Sequence, residues 1–212
     1  MAGPYKAEDT QLLVGTETDQ GSTVAPTDVF GKVAEDASLP DPEQSWLVQR
    51  VIGGGREPFQ QEEGIREYQG GEIPIVLQDG HPVAYALGND SVSGSGPATH
   101  TLTPKEDGLP PTQTLEATYY GRGGGTDFVR TFAGATPNSL ELSMNEDDEL
   151  TASLSYWAMG VETGTSPTTG VSVPSTNPWL FADASSELSL FGSTFARFID
   201  FSLSVENNLG EG

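Results

Sequence analysis

The sequence predicts an all-β, mainly antiparallel fold, a β-sandwich or flattened barrel with at most one short helix. Leu140, Leu142 and Met144 alternate with Ser139, Glu141 and Ser143, while Leu150, Ala152, Leu154 and Tyr156 alternate with Thr151, Ser153 and Ser155. Period two on both runs turns one face inward and the other to water or a neighbour. Near the end, Ile199, Phe201, Leu203 and Val205 alternate with Asp200, Ser202, Ser204 and Glu206 in the same way. No segment combines the length and 3.6-residue rhythm of a long helix.

Taken in order, the first residues are polar and punctuated by Gly15-Thr16-Glu17 and Gly21-Ser22-Thr23, which predicts an extended arm over about 1–29. Val29-Phe30-Gly31-Lys32-Val33 is the first apolar anchor, and Leu39-Pro40-Asp41-Pro42 ends it. Trp46, Leu47, Val48, Val51 and Ile52 fit a short strand or one amphipathic turn, and Gly53-Gly54-Gly55 breaks the chain. The stretch of about 46–71 is expected to be a long loop. Ile73 to Leu77 and Val83 to Leu87 flank the tight-turn dipeptide Asp79-Gly80, which predicts a pair of strands. Pro74 and Pro82 lack a ladder donor and favour a strand edge or end.

His100-Thr101-Leu102-Thr103-Pro104 reads as a strand running into the ordered loop Leu109-Pro110-Pro111-Thr112-Gln113-Thr114. Leu115 to Tyr120 and Phe128 to Phe132 give two more strands, joined by Gly121-Arg122-Gly123-Gly124-Gly125. Asn145-Glu146-Asp147-Asp148-Glu149 is the polar tip of the clearest hairpin. Val161 to Pro178 is rich in Thr, Gly, Ser and Pro, and a connection of that length is rarely idle in a compact domain. The 212 residues suit a single core, so one domain over 1–212 is expected.

Acidic residues number 31 against 9 basic, with only three Lys, for a net charge of -22. The acids are interleaved with apolar alternation, which argues for a folded domain rather than disorder. Self-repulsion on this scale is relieved in concentrated salt, where the screening length shrinks to about 3 Å at 1 M. The composition therefore fits a halophile. It also opposes nucleic-acid binding, because Arg50, Arg56, Arg66, Arg122, Arg130 and Arg197 are scattered and phosphate neutralisation needs clustered cations. Cysteine is absent, which excludes disulfides and thiolate chemistry. No apolar run approaches a membrane span, and Met1 to Lys6 lacks the apolar core of a signal peptide. A soluble protein made inside the cell is expected.

No catalytic, cofactor-binding or metal-ligating residue is expected. Gly121 to Thr126 opens no helix and lacks a following Lys-Ser/Thr pair, so it reads as a flexible hairpin connection rather than a phosphate loop. His81 and His100 have no partner in sequence that would make a base or a zinc site. Asn145 to Glu149 lacks the ligand spacing and glycine of a calcium loop and reads as a solvated tip. Carboxylate pairs for glycoside hydrolysis are available anywhere in so acidic a chain and carry no signal without geometry. Asn89-Asp90-Ser91 is a glycosylation sequon of a kind common by chance. Trp157, Trp179 and the Phe191, Phe195, Phe198 and Phe201 group could line a groove, but alternation puts Phe201 in the core, and packing is the default.

The landmarks Ala84-Tyr85-Ala86-Leu87-Gly88, His100 to Pro104, Leu109 to Thr114 and the closing Val205-Glu206-Asn207-Asn208-Leu209 occur in an order that resembles the major tail tube proteins of long-tailed viruses. The resemblance runs from about Gly15 to Leu209. It implies a β-sandwich without enzymatic activity or cofactor, assembling as rings of six whose inner sheets join into a barrel. Stacked rings would form a hollow conduit for the genome and the tape-measure protein, with terminator and baseplate proteins as further partners. Double-stranded DNA would pass without specific binding, and the virion tail would be built in the host cytoplasm. Bridges between rings would come from the arm before Phe30, the 46–71 segment and the 161–178 segment. Many relatives continue with strand-forming residues where this sequence reads Gly210-Glu211-Gly212, which leaves the detailed strand order open. Competing readings are a baseplate or tail-terminator β-sandwich, or a carbohydrate-binding or cell-surface sandwich of a halophile.

Overall fold

The computed structural model describes residues 10–33, 37–49, 60–68, 70–96, 98–106, 108–146, 148–181, 189–190, 193–194 and 200–209. Its strands are β1 (Thr10–Thr16), β2 (Asp28–Val29), β3 (Lys32–Val33), β4 (Pro42–Gln49), β5 (Gln60–Tyr68) and β6 (Gly71–Val76), followed by helix α1 (His81–Leu87). After it come β7 (Gly88–Ser93), β8 (Thr99–Pro104), β9 (Gln113–Tyr119), β10 (Phe128–Asn145), β11 (Thr151–Trp157) and β12 (Gly160–Gly164). Two short strands, β13 (Ser189–Leu190) and β14 (Ser193–Thr194), precede the last, β15 (Asp200–Glu206).

Nine strands form one antiparallel sheet in the order β2-β1-β9-β10-β11-β6-β3, with β12 and β15 also paired to β10. The two ends of that path, β2 and β3, are separated in the chain only by Phe30-Gly31. The sheet therefore curls until its ends meet, as a flattened barrel does. Curling requires a bend, and β10 supplies it. This strand runs for 18 residues; its first half pairs with β9 and β12, its second half with β11 and β15. Register slips between Phe132 and Ala135 and again between Pro137 and Ser139. Gly134 sits in the first slip at φ 63, where an added Cβ would lie 2.8 Å from Met159. A glycine is needed there both for the conformation and for the close approach.

The alternating residues of β10 and β11 fill the core as expected. Leu140, Leu154 and Tyr156 are essentially inaccessible, alongside Phe132, Ile73, Val14 and Leu115. The Tyr156 ring meets Phe30 edge-on at 5.9 Å, and its buried hydroxyl donates to Gln113 Oε1 at 2.8 Å. His100 to Pro104 lies in β8 as predicted.

Several sequence expectations fail. The expected arm over 1–29 contains β1, an interior strand paired along its whole length with β9, and Leu12, Leu13 and Val14 are buried. Among polar neighbours that short apolar run was too brief to register as a strand. The expected loop over 46–71 holds a hairpin, β4 with β5, and then β6. The expected strand at Val83 to Leu87 is helix α1. Pro82 falls in its first turn, Gly88 closes it at φ 86, and Pro82 and Ala86, one turn apart, face the core. The alternation of Val83 and Tyr85 with alanines suits either period, and the helix punctuation decides. The expected 161–178 loop begins with β12 and becomes irregular only beyond Gly164. Val51 to Phe59, Phe191, Phe195 and Phe198 lie outside the described residues.

Candidate assembly surfaces

Three two-stranded ribbons stand apart from the main sheet: β4 with β5, β7 with β8 and the short β13 with β14. Among the described residues β4 and β5 pair only with each other, and Trp46, Leu47 and Val48 are 52%, 62% and 44% exposed. Trp46 lies opposite Glu63 and Leu47 opposite Glu62, so both faces of the ribbon mix an apolar with an acidic side chain. A two-stranded ribbon of this kind is at best marginally stable alone in water. The second hairpin, β7 with β8, shows Asn89, Ser91, Ser93, Thr99, Thr101 and Thr103 on one face and Val92 with His100 on the other.

The other polar groups make contacts within the fold. His100 Nδ1 lies 2.8 Å from Asp90 Oδ2 across the β7–β8 hairpin, and Asn89 of the sequon donates to Thr103 Oγ1 at 2.8 Å. His81 Nδ1 lies 2.8 Å from Asp28 Oδ2, which also accepts from the Tyr85 hydroxyl at 3.0 Å. These contacts fasten α1 to β2. Burial and the Asp28 charge push the Tyr85 hydroxyl far above its ordinary range, so it remains a donor. The two histidines stand in separate places, each with its own carboxylate, and no group of three His, Asp or Glu gathers as a metal set among the described residues. Gly121 to Gly125 turns tightly through a single 3-10 turn, Arg122–Gly124, with Asp127 accepting from the Gly121 N–H at 2.9 Å.

Two buried carboxylates organise the connections, and sequence reasoning missed both. Glu17 accepts hydrogen bonds from the N–H groups of Gly21 and Gly134 and from the hydroxyls of Thr112 and Thr114, at 2.7–3.0 Å. Burial alone would raise its pKa, but these four donors outweigh it and hold the carboxyl below its ordinary value. Glu116, on the outer face of β9, accepts from the Thr168 N–H and hydroxyl, both at 2.8 Å. It pins the irregular stretch after β12 across the sheet. Further along, Gln78 donates to the carbonyls of Pro174 and Thr176, while Trp179 N–H donates to Leu77 O at 3.1 Å. The Asn145 to Glu149 tip is held as well, since Phe181 N–H donates to Asp148 O at 2.9 Å.

At the end of the chain, Asn207 donates through Nδ2 to Ala86 O at 3.0 Å and to Pro137 O at 2.9 Å. The closing Asn-Asn-Leu element thus ties α1 to the bend in β10. Beside it, β15 carries Leu203 48% exposed opposite buried Leu142.

A curled antiparallel sheet with apolar side chains standing out on its ribbons and margins is the form of a structural β module. The chain belongs to the phage tail tube protein family, whose model matches residues 7–211. It is a structural component of a virion tail. No curated protein matches it in sequence. A solved structure similar to it is from an extracellular contractile injection system, the PVC sheath-tube complex in its extended state, with a TM-score of 0.47 and 10% identity over 77% of this chain and 93% of that one.

Proposed function

We propose that six copies close into a ring and that rings stack into the hollow tail tube of a long-tailed virus, through which the genome enters the host cell. The family match carries this reading. The β4–β5 ribbon supports it: a ribbon that pairs with no other strand among the described residues and exposes Trp46, Leu47 and Val48 is suited to bridging successive rings. The 165–179 stretch, strapped to the sheet by Glu116 and Gln78, offers a second such surface. Tape-measure, terminator and baseplate proteins would meet the tube along its lumen and at its ends, and assembly would take place in the host cytoplasm.

The net charge of -22 suits a conduit whose wall repels phosphate, and it equally suits a host living in concentrated salt, such as a halophilic archaeon. Electron microscopy of the purified protein in molar salt tests the reading. Uniform hollow rods of six-fold cross-section are expected; monodisperse monomers at every concentration and salt would refute it.

A further inference from the structure

Within the nine-stranded sheet, the path runs from β2 to β3, and each strand between these ends has neighbours on both sides. The two strands that hang off β10 do not belong to that path. Among the described residues β12 pairs only with the first half of β10, and β15 only with the second half. Each therefore presents an outer row of backbone donors and acceptors, the feature natural sheets cover or pair. β13 and β14 pair with each other and with neither of these two strands.

The side chains on these margins look unfinished. Leu203 of β15 continues the row of buried Leu142 and yet is half exposed, while Phe201 and Val205 on either side of it pack against the core. On β12, Val161 continues the row of buried Phe132 and is half-buried, and Met159 just before it is 53% exposed. The outward face of β12 is unobstructed, since an added Cβ at Gly160 or Gly164 meets nothing within 4 Å.

We propose that β12 of one copy pairs with β15 of the next copy around the ring, a contact that rests on the ring reading above. The argument is one of closure. A β15–β15 contact is two-fold and satisfies two copies at once, leaving that margin nothing further to bind. Alternating β15–β15 with β12–β12 contacts would extend the series, but successive copies would point in opposite directions and the conduit would have two identical ends. A tube that delivers in one direction needs a head-to-tail contact between two different margins, and β12 with β15, the two strands that each pair with one half of β10, offer such a pair among the described residues. The contact would extend the Leu142–Leu203 row toward Val161 of the neighbour and withdraw Leu203 from water.

The absence of cysteine makes the test clean. Chains carrying Glu162→Cys alone and Ser204→Cys alone, both at exposed outward-facing positions, are co-expressed, and their rods are treated with a short bismaleimide. Paired strands place same-face Cβ atoms about 5 Å apart, well within reach. Cross-linked dimers should form in the mixed rods and not in rods of either variant alone. In parallel, amides of 160–164 and 200–206 in the unaltered protein should gain hydrogen-exchange protection when monomers become rods.

Rods whose mixed chains give no cross-link, or in which Ser204→Cys alone cross-links as well, would overturn the pairing and leave the tube reading standing. Failure of the unaltered protein to make rods would end both. Should the cysteine variants not assemble, the exchange measurement decides: unchanged protection at either strand overturns the proposal.

Discussion

Glu17 and Gly134 lie 117 residues apart in the chain and are joined by a 2.9 Å hydrogen bond from the Gly134 N–H to Glu17 Oε1. The bond joins the end of β1 to the bend of β10, the point at which the sheet turns back on itself. Replacing Glu17 by Ala strands two backbone donors and two hydroxyls in a buried place. A loss of about 3 kcal/mol is expected in urea unfolding of the monomer, and a loss within error would show that the bend holds without this carboxylate.

The same group gives a pH dependence of defined sign. Its folded pKa lies below the ordinary 4.5, so its contribution is complete above that value and is lost as pH falls through the folded pKa. Acid unfolding of Glu17→Gln should therefore be shallower than that of the parent over this acidic window. Identical slopes would assign the acid sensitivity to other carboxylates.

Gly134→Ala should destabilise by about 1–3 kcal/mol, because alanine resists the left-handed conformation and its Cβ meets Met159. Adding Met159→Ala should recover the steric share and not the conformational one. Thermal unfolding of the single and double variants separates the two.

Asn207→Ala removes two donors that join α1 to β10, an expected cost of about 1–2 kcal/mol. Exchange of the α1 amides should accelerate more than that of β9. Equal acceleration would mean that Asn207 supports the whole barrel rather than the helix.

Glu116→Ala should free the stretch around Thr168 while leaving the core intact. Proteolytic cutting within 165–172 should rise about tenfold, the effect of losing about 1.4 kcal/mol of local hydrogen bonding. Unchanged cutting would show that Gln78 and Trp179 suffice to hold the strap.

The β class and the 140–156 hairpin were legible because Leu140, Leu142, Leu154 and Tyr156 obey period two over a long run, and tertiary packing had no reason to override it. β1 was illegible because Leu12-Leu13-Val14 is continuous rather than alternating: it is buried on both faces, by the barrel core inside and by neighbouring segments outside. Helix α1 hid behind the alternation of Val83 and Tyr85, although Pro82 and Gly88 mark its ends. Glu17 and Glu116 could not be picked out among 31 acidic residues, since apart from Gly21 the partners described for them come from segments 52 to 117 positions away. The resemblance to tail tube proteins rests on the order of Ala84 to Gly88, His100 to Pro104, Leu109 to Thr114 and Val205 to Leu209, and in the last of these Asn207 holds helix and bend together.

The 18-residue β10 takes part in both halves of the barrel, which restricts how this protein can vary in length. One residue inserted anywhere along it would send every later side chain to the opposite face and misalign up to four partner strands at once. Insertions and deletions are therefore better tolerated outside the paired strands, as in the irregular 165–172 stretch, where a change of length does not disturb the frame.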